Sequence, residues 1–365
     1  MPDEMTARQR WLAALEMRPV DRLPFWPKLD ASYAPAQAAP FRDMSIDALH
    51  KWIGSDNHVW TSNCVMELHH TCSFTEEVGD ELLRRSFRTP VGTLESLWRH
   101  DRASASWHPI AFPIRTREDI KTMTAYYEDL SAEPHPDSVQ QVRDTISAYG
   151  EEAVVATGFG TSPLMDWVQW LAGIENAHLL LADHQAEVEA LFLAMHKLTL
   201  RRAEIACEIC PVDLFYLGEN TSTTLISPAQ HEKYCIAHIR EYANAARSKK
   251  RRLVLHMCGH LKALLPDLAE LPVTGFEAFT SPPVGDTTLL DGRTQCPDKC
   301  LIGGTNAALW IRPVNEIIKQ IEEDLGALQR HRGIVVTSAG VMPPAAKPET
   351  IRAVCDWVKR YPVCV

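Results

Sequence analysis

The sequence is short of positive charge. Its 37 lysines and arginines stand against 47 aspartates and glutamates, a formal net charge of −10. A chain that neutralises phosphates carries the opposite balance, so nucleic acid is not an expected partner. No apolar run approaches the ~20 residues a membrane helix needs. The stretch from Met1 to Arg10 mixes acids and bases and has no apolar core of the signal-peptide kind. The expectation is a cytoplasmic protein with no membrane partner. No Gly-x-Gly-x-x-Gly opens a helix after the first strand and no P-loop is present, so nucleotide binding by those routes has no support.

A disulfide framework is also missing. Ten cysteines in 365 residues are too sparse for one, and in a reducing compartment most serve as small buried hydrophobes. Cys207 and Cys210 fall at the end of a helical stretch, which makes their C-x-x-C spacing a coincidence of position. Cys296 and Cys300 flank a polar turn, Pro297-Asp298-Lys299. They suit a metal or, more plainly, a loop before a strand.

What is present is ordinary globular composition, 45% hydrophobic and 23% charged. Thr6 to Met17 reads as a short amphipathic helix with Trp11, Leu12 and Leu15 on one side. The prolines of Arg18 to Trp26 bracket a short extended piece, a plausible first strand. Ala31 to Arg42 is rich in alanine and proline and reads as a loop over a site mouth. Ser45 is a candidate cap for a helix to Ile53. Arg84 to Glu95 alternates around a Pro-Val-Gly turn, as a hairpin inserted ahead of the regular part of the chain. The first 150 residues therefore read as an N-terminal extension, a first strand and an insertion.

From about Glu151 the chain becomes rhythmic. Strands are expected at Glu152–Thr157, Asp213–Leu217, Leu253–His256, Gly275–Phe279, Cys300–Gly304 and Gly333–Thr337. Helices lie between them, one opening at Ser227-Pro228, one running from Pro313 to about His331 and a last one from about Pro348 to Arg360. Alternating strands and helices argue for a parallel sheet with helical crossovers. A doubly wound sheet and a closed barrel both satisfy this. The α/β barrel is favoured because polar residues follow strand after strand, at positions that converge on one rim.

The most informative run is Leu253-Val254-Leu255-His256-Met257-Cys258-Gly259-His260. Positions i and i+2 of a strand share a face, so His256 and Cys258 present an imidazole nitrogen and a sulfur together. Zinc takes such ligands in a tetrahedral sphere that leaves a place open for chemistry. On residue types alone, a core histidine beside an inert buried cysteine is the blander alternative. Glu219 follows the preceding strand and suits a metal ligand or a general acid/base, or else a helix-capping carboxylate. Glu277 lies on the following strand. Asn306, in the Gly303-Gly304-Thr305-Asn306 turn, suits a substrate carbonyl or carboxylate, or else its own turn's backbone.

At these residues the chain resembles the uroporphyrinogen decarboxylase superfamily, in its branch of corrinoid-linked, zinc-dependent methyltransferases. The likeness runs through Arg18-Pro-Val-Asp-Arg-Leu-Pro24, Arg88-Thr-Pro-Val-Gly-Thr93, Gly158-Phe-Gly-Thr-Ser-Pro163 and Leu171-Ala-Gly-Ile-Glu-Asn176. Its most specific pieces are Leu217-Gly-Glu-Asn220 with Ser227-Pro228, and Leu255-His-Met-Cys-Gly259. Gly303-Gly-Thr-Asn306 and the Ser338 to Pro344 turn complete it. The resemblance implies a single (β/α)8 TIM barrel over residues 1–365 with an N-terminal helical and hairpin extension.

It also implies a zinc ion on His256 and Cys258, a small-molecule methyl donor or acceptor, and a corrinoid on a partner protein. No Asp-x-His-x-x-Gly segment is present to hold a corrinoid within this chain. The family suggests monomers or a homodimer. Two departures from its pattern matter. Porphyrinogen decarboxylases are similar in having an Arg-Gln-Ala-Gly-Arg segment after the first strand, where this chain reads Trp26-Pro-Lys-Leu-Asp-Ala-Ser32, with no arginine for four substrate carboxylates. The methyltransferase branch places a third ligand, cysteine, in the turn after the last strand, where this chain has Ala339 and Gly340. Glu219 is the first candidate to complete the metal set, and Cys300 and Cys296 follow. His256, Glu219 and Asn306 are the expected catalytic residues. The competing readings are a lyase acting on a smaller carboxylated molecule, with Glu219 or Asp30 handling the proton, and a non-catalytic corrinoid or tetrapyrrole carrier.

Overall fold

Short runs of branched and aromatic residues, each bounded by glycine, proline or a polar turn, form the strands of the computed structural model, which describes residues 4–102 and 106–364. The first three positions of the polar N-terminal stretch lie outside the described residues. In chain order the strands are β1 (Phe25–Trp26), β2 (Asn57–Trp60), β3 (Val65–His69), β4 (Ser73–Val78), β5 (Leu82–Thr89), β6 (Gly92–Asp101) and β7 (Ser106–Ala111). They continue as β8 (Leu130–Pro134), β9 (Ala153–Gly158), β10 (Leu214–Gly218), β11 (Leu253–His256), β12 (Gly275–Phe279), β13 (Cys300–Gly303) and β14 (Ile334–Thr337).

Eight of these form one sheet in the order β1-β14-β13-β12-β11-β10-β9-β2, and each adjacent pair is parallel. The outer two, β1 and β2, meet where the Asp56 N–H donates to the Phe25 carbonyl at 2.8 Å. The result is a (β/α)8 barrel, as the strand-helix rhythm predicts. Period-two alternation divides its side chains. Phe215, Leu255, Phe276 and Val336 face the surrounding helices in the large core, whereas Trp26, Tyr216, Val254, Ile302 and Val335 fill the barrel with Trp11.

Trp11 belongs to the helix Ala7–Leu15, whose N-cap Thr6 forms a capping box with Gln9. Its indole lies edge-on to Trp26 with centroids 5.6 Å apart, and its Nε1 donates to the Asp56 carbonyl at 3.0 Å. The Asp56 carboxylate is buried with Arg10 and Arg22. It accepts from Arg10 Nη1 at 2.5 Å, from Arg22 Nη1 at 2.8 Å and from the Phe25 N–H at 2.9 Å. One carboxylate thus ties the N-terminal helix, β1 and β2 together at the seam of the barrel.

The expected hairpin exists as β5 and β6, turning at Pro90-Val91, but it is the centre of a larger unit. Strands β4, β5, β6 and β7 form a four-stranded antiparallel sheet, and β3 pairs with β8 as a separate ribbon. Ser45 caps Ile46–Ile53 by accepting from the Ala48 N–H. Ser227 opens the helix that follows β10, forming a capping box with Gln230. The helix expected from Pro313 to His331 is shorter, Val314–Gly326, because Gly326 ends it and His331 turns back to bond the Leu325 carbonyl at 3.1 Å. Two single-turn π-helical segments, Trp167–Leu171 and Glu232–Ile236, interrupt the helices after β9 and β10.

Replacing Asp56 by alanine leaves two buried guanidinium groups without their shared partner. The expected loss is about 3–5 kcal/mol of unfolding free energy, the usual cost of removing one member of a buried ion pair. Denaturant unfolding measures it, and a loss below about 1 kcal/mol, the value of an exposed pair, contradicts the central place given to the seam.

Candidate active site

On β11, Leu253 and Leu255 face the helices, so His256 follows Val254 into the barrel at the strand's C-terminal end. Its register partner on β12 is Glu277. The β12 ladder is irregular between Glu277 and Phe279, and Ala278 takes a left-handed backbone with φ 60°. Such bulges re-aim a side chain next to a site. Here Glu277 is 1% exposed, and one of its oxygens accepts from His256 Nδ1.

The third member comes from the end of β1, three strands from β12 in the sheet order. Lys28 follows β1, and its ammonium donates to Glu277 Oε1 at 3.0 Å and Oε2 at 3.3 Å. The turn after β14 holds the lysine's backbone: the Lys28 N–H donates to Ser338 Oγ at 3.2 Å, and its carbonyl accepts from the Met342 N–H at 2.8 Å. Burial pushes the Glu277 carboxyl up, but the charges of Lys28 and His256 outweigh it and hold it down at about 2. Burial likewise pushes His256 down, yet the Glu277 charge and hydrogen bonds to Cys258 and Glu277 raise it to about 9. The group is two cations on one anion.

Cys258 is exposed and also hydrogen-bonds the His256 ring. Its Sγ lies 3.6 Å from Asn220 Oδ1. These two loops touch because of Gly259, where a Cβ would stand 2.2 Å from the Ser222 Cβ and 2.8 Å from the Thr221 carbonyl. Asn220 takes φ 46°, a left-handed conformation asparagine tolerates better than most residues. Its Nδ2 donates to Gln169 Oε1 at 2.8 Å, and Gln169 sits in the π-helical turn Trp167–Leu171. At the same rim Trp60 presents a half-exposed indole over Tyr216, with ring centroids 4.8 Å apart.

The other expected residues are placed differently. Glu219 has no exposed surface. One of its oxygens accepts from the Ser162 N–H at 2.7 Å and the other from Ser162 Oγ at 2.5 Å. Burial pushes its carboxyl up to about 7. Both oxygens are thus taken up by Ser162, the residue before the helix Pro163–Asp166. Among the described residues, no three histidine, cysteine, aspartate or glutamate side chains gather as a metal group, so Glu219 does not join His256 and Cys258.

Asn306 is also buried. Its Nδ2 donates to Ser281 Oγ and to the Pro282 carbonyl, both at 3.0 Å, and its Oδ1 accepts from the Leu309 N–H at 3.1 Å. These bonds join its own turn to the loop after β12. Cys300 begins β13 at the opposite rim, where burial pushes its thiol up to about 12. Cys296 is buried against the Leu265 carbonyl. Asp30 accepts from the Ser32 N–H at 2.9 Å and braces its own turn. Cys207 and Cys210 are buried in the core, as their helical position implies.

Sequence reasoning passed over Lys28, Asn220 and Gln169 and left Glu277 without a role. Glu277 carried the clearest signal: an acid in the middle of an otherwise apolar strand, one strand on from His256.

A family model described as uroporphyrinogen decarboxylase (URO-D) matches residues 109–361. Among solved structures, a methyltransferase from Methanosarcina mazei is similar over 97% of this chain and 99% of its own, with 14% identity and a TM-score of 0.60. A Listeria monocytogenes protein assigned as a vitamin-B12 independent methionine synthase covers 62% of this chain and 69% of its own at 13% identity, with a TM-score of 0.41. A D-psicose 3-epimerase from Clostridium cellulolyticum covers 60% and 82% at 11% identity, with a TM-score of 0.35. No curated protein sequence matches the chain. At these identities the Methanosarcina structure speaks for the fold.

The ion group gives the metal-free protein a pH signature. His256 is raised above its ordinary 6.5, so its contribution is full below pH 6.5 and is lost as pH rises through about 9. Glu277 is lowered from 4.5, so its contribution is present above pH 4.5 and is lost as pH falls through about 2. Metal-free protein is expected to lose on the order of 2 kcal/mol of unfolding free energy across the alkaline range. Glu277→Gln should abolish that slope, and urea melts at a series of pH values measure it. An unchanged slope in the variant would remove Glu277 as the group that charges His256.

Proposed function

The chain belongs to the uroporphyrinogen decarboxylase family, and on that premise we propose that it is a zinc-dependent methyltransferase. It would move a methyl group between a small O-, N- or S-methyl substrate and a corrinoid or thiol acceptor. The observation that carries this reading is the hydrogen bond from His256 Nδ1 to buried Glu277, beside Cys258. A metal-ligating histidine characteristically gives its other ring nitrogen to a carboxylate, which fixes the tautomer and makes the ligating nitrogen more basic. With Nδ1 so engaged, Nε2 is the nitrogen left for a metal, and Cys258 supplies a sulfur next to it. The donor set therefore fits zinc.

Zinc held there supplies a Lewis acid and keeps a coordinated thiol deprotonated near neutral pH. The remaining roles belong to the protein. Glu277 orients the imidazole, and Lys28 keeps Glu277 ionised inside the barrel. Trp60 offers an apolar face at the mouth for the methyl-bearing part of a substrate. A porphyrinogen is a poor fit. The segment after β1 contains one cation, Lys28, and it is committed to Glu277 rather than to substrate carboxylates.

Protein purified without added zinc is expected to carry about one equivalent of metal. His256→Ala and Cys258→Ala should each lose it, together with methyl transfer from methylcobalamin to a thiol or from a methylated substrate to cobalamin. Glu277→Gln should bind metal about 10–100-fold more weakly, the usual cost of removing such a partner. Protein that carries no metal and keeps its activity in both alanine variants would sink the proposal.

A further inference from the structure

The orientation of two side-chain amides follows from what surrounds them. Gln169 Nε2 faces two backbone carbonyls, Met165 O at 3.0 Å and Glu219 O at 3.2 Å. Carbonyl oxygens only accept, so the Gln169 atom there must be the NH2 group. Its Oε1 is then the atom facing Asn220, and an acceptor requires a donor opposite, which fixes Asn220 Nδ2 at that 2.8 Å contact. The remaining Asn220 atom, the carbonyl oxygen Oδ1, is therefore the one beside Cys258. Rotating either amide would set oxygen against oxygen.

The backbone holds the same atom in place. The Asn220 N–H donates to the His256 carbonyl at 2.9 Å, tying the loop after β10 to the end of β11. The separation also suits a shared metal. On a tetrahedral zinc with Zn–S near 2.3 Å and Zn–O near 2.0–2.2 Å, the sulfur and oxygen ligands stand about 3.5 Å apart. Asn220 Oδ1 and Cys258 Sγ are 3.6 Å apart.

We infer that Asn220 Oδ1 is the third protein ligand of the metal held by His256 and Cys258, with Gln169 as the residue that locks its orientation. The inference rests on the reading of those two residues as metal ligands. It accounts for a site that has Ala339 and Gly340, rather than a thiol, in the turn after β14. A neutral oxygen in place of a second thiolate leaves the centre one charge more positive, a harder and stronger Lewis acid. Such a centre suits a methyl-bearing ether oxygen or amine nitrogen better than the methyl sulfur of a thioether.

The test is zinc and cobalt(II) affinity of the purified full chain, by competition with a chromophoric chelator, alongside the cobalt(II) absorption spectrum. Asn220→Gly keeps the left-handed backbone and removes the oxygen. It is expected to weaken binding by about 100-fold or more, at or beyond the upper end of what losing an outer partner costs, and to change the cobalt d–d bands while the thiolate charge-transfer band persists. Asn220→Asp, which returns an oxygen, should restore affinity. Gln169→Met should cost about 10–100-fold. If His256→Ala and Cys258→Ala abolish binding while Asn220→Gly retains wild-type affinity and an unaltered cobalt spectrum, the inference is overturned and the metal site stands. If His256→Ala and Cys258→Ala also bind as the wild type does, the functional reading falls with it. Metal-free melts of each variant establish that it folds.

Discussion

Asp56 holds the barrel shut. A sheet closed on itself needs its first and last strands to meet, and here β1 is only Phe25–Trp26. Two residues give too short a ladder to secure a seam. The buried carboxylate substitutes for it by gathering Arg10, Arg22 and the Phe25 N–H, while its own backbone bonds to Phe25. Everything on the upper rim follows from that closure. Lys28 lies two residues beyond β1 and reaches across the interior to Glu277 on β12 only because β1 is fixed in place. A structural ion group at the seam and the site's own ion group are thus joined through three residues of chain.

The barrel's charge chemistry is asymmetric in a useful way. Glu277 is a buried anion with two partners, so it remains ionised and steers His256. Glu219 is a buried carboxyl with hydroxyl and amide partners only, and burial raises it toward neutrality. Two glutamates on either side of β11 therefore have different work. One organises a candidate metal ligand, and the other holds the start of the helix that carries Gln169. The π-helical turn in that helix is what brings the Gln169 amide over the end of β10, consistent with the frequent use of such turns at functional sites.

Much of this was legible in residue patterns. The alternation of apolar runs with helical stretches after Glu151 identified the barrel, and the serine caps at Ser45 and Ser227 marked two helix starts. The strand end at His256 pointed to the rim. The pattern failed where elements were too short for a period to register. Asn57–Trp60 carries a histidine, an asparagine and a half-exposed tryptophan and does not read as a barrel strand. The stretch with the helices Arg117–Asp129 and Pro136–Tyr149 carries no period that marks it, although Thr116 forms a capping box with Asp119. At the rim, residue types singled out His256 and Cys258 but not the direction Glu219 faces. That depends on Ser162, which approaches it from another loop. Asn220 stands in a motif at a strand end but shows no role there, because its orientation is set by an amide held between two carbonyls.

The pairing of Phe25 with Val336 joins opposite ends of the chain. On the ribosome the helix Ala7–Leu15 and β1 emerge long before β14, the strand that β1 pairs with. Trp11 and Trp26 must therefore stay without their final surroundings until β14 has been made, an interval during which exposed indoles invite wrong partners. Closure is a late, long-range event with a high loop-entropy cost, the kind of step that slows folding. A cell making this protein has reason to shield Trp11 and Trp26 until β14 arrives, and removal of β14 should release the helix Ala7–Leu15 and β1 rather than merely shorten the barrel.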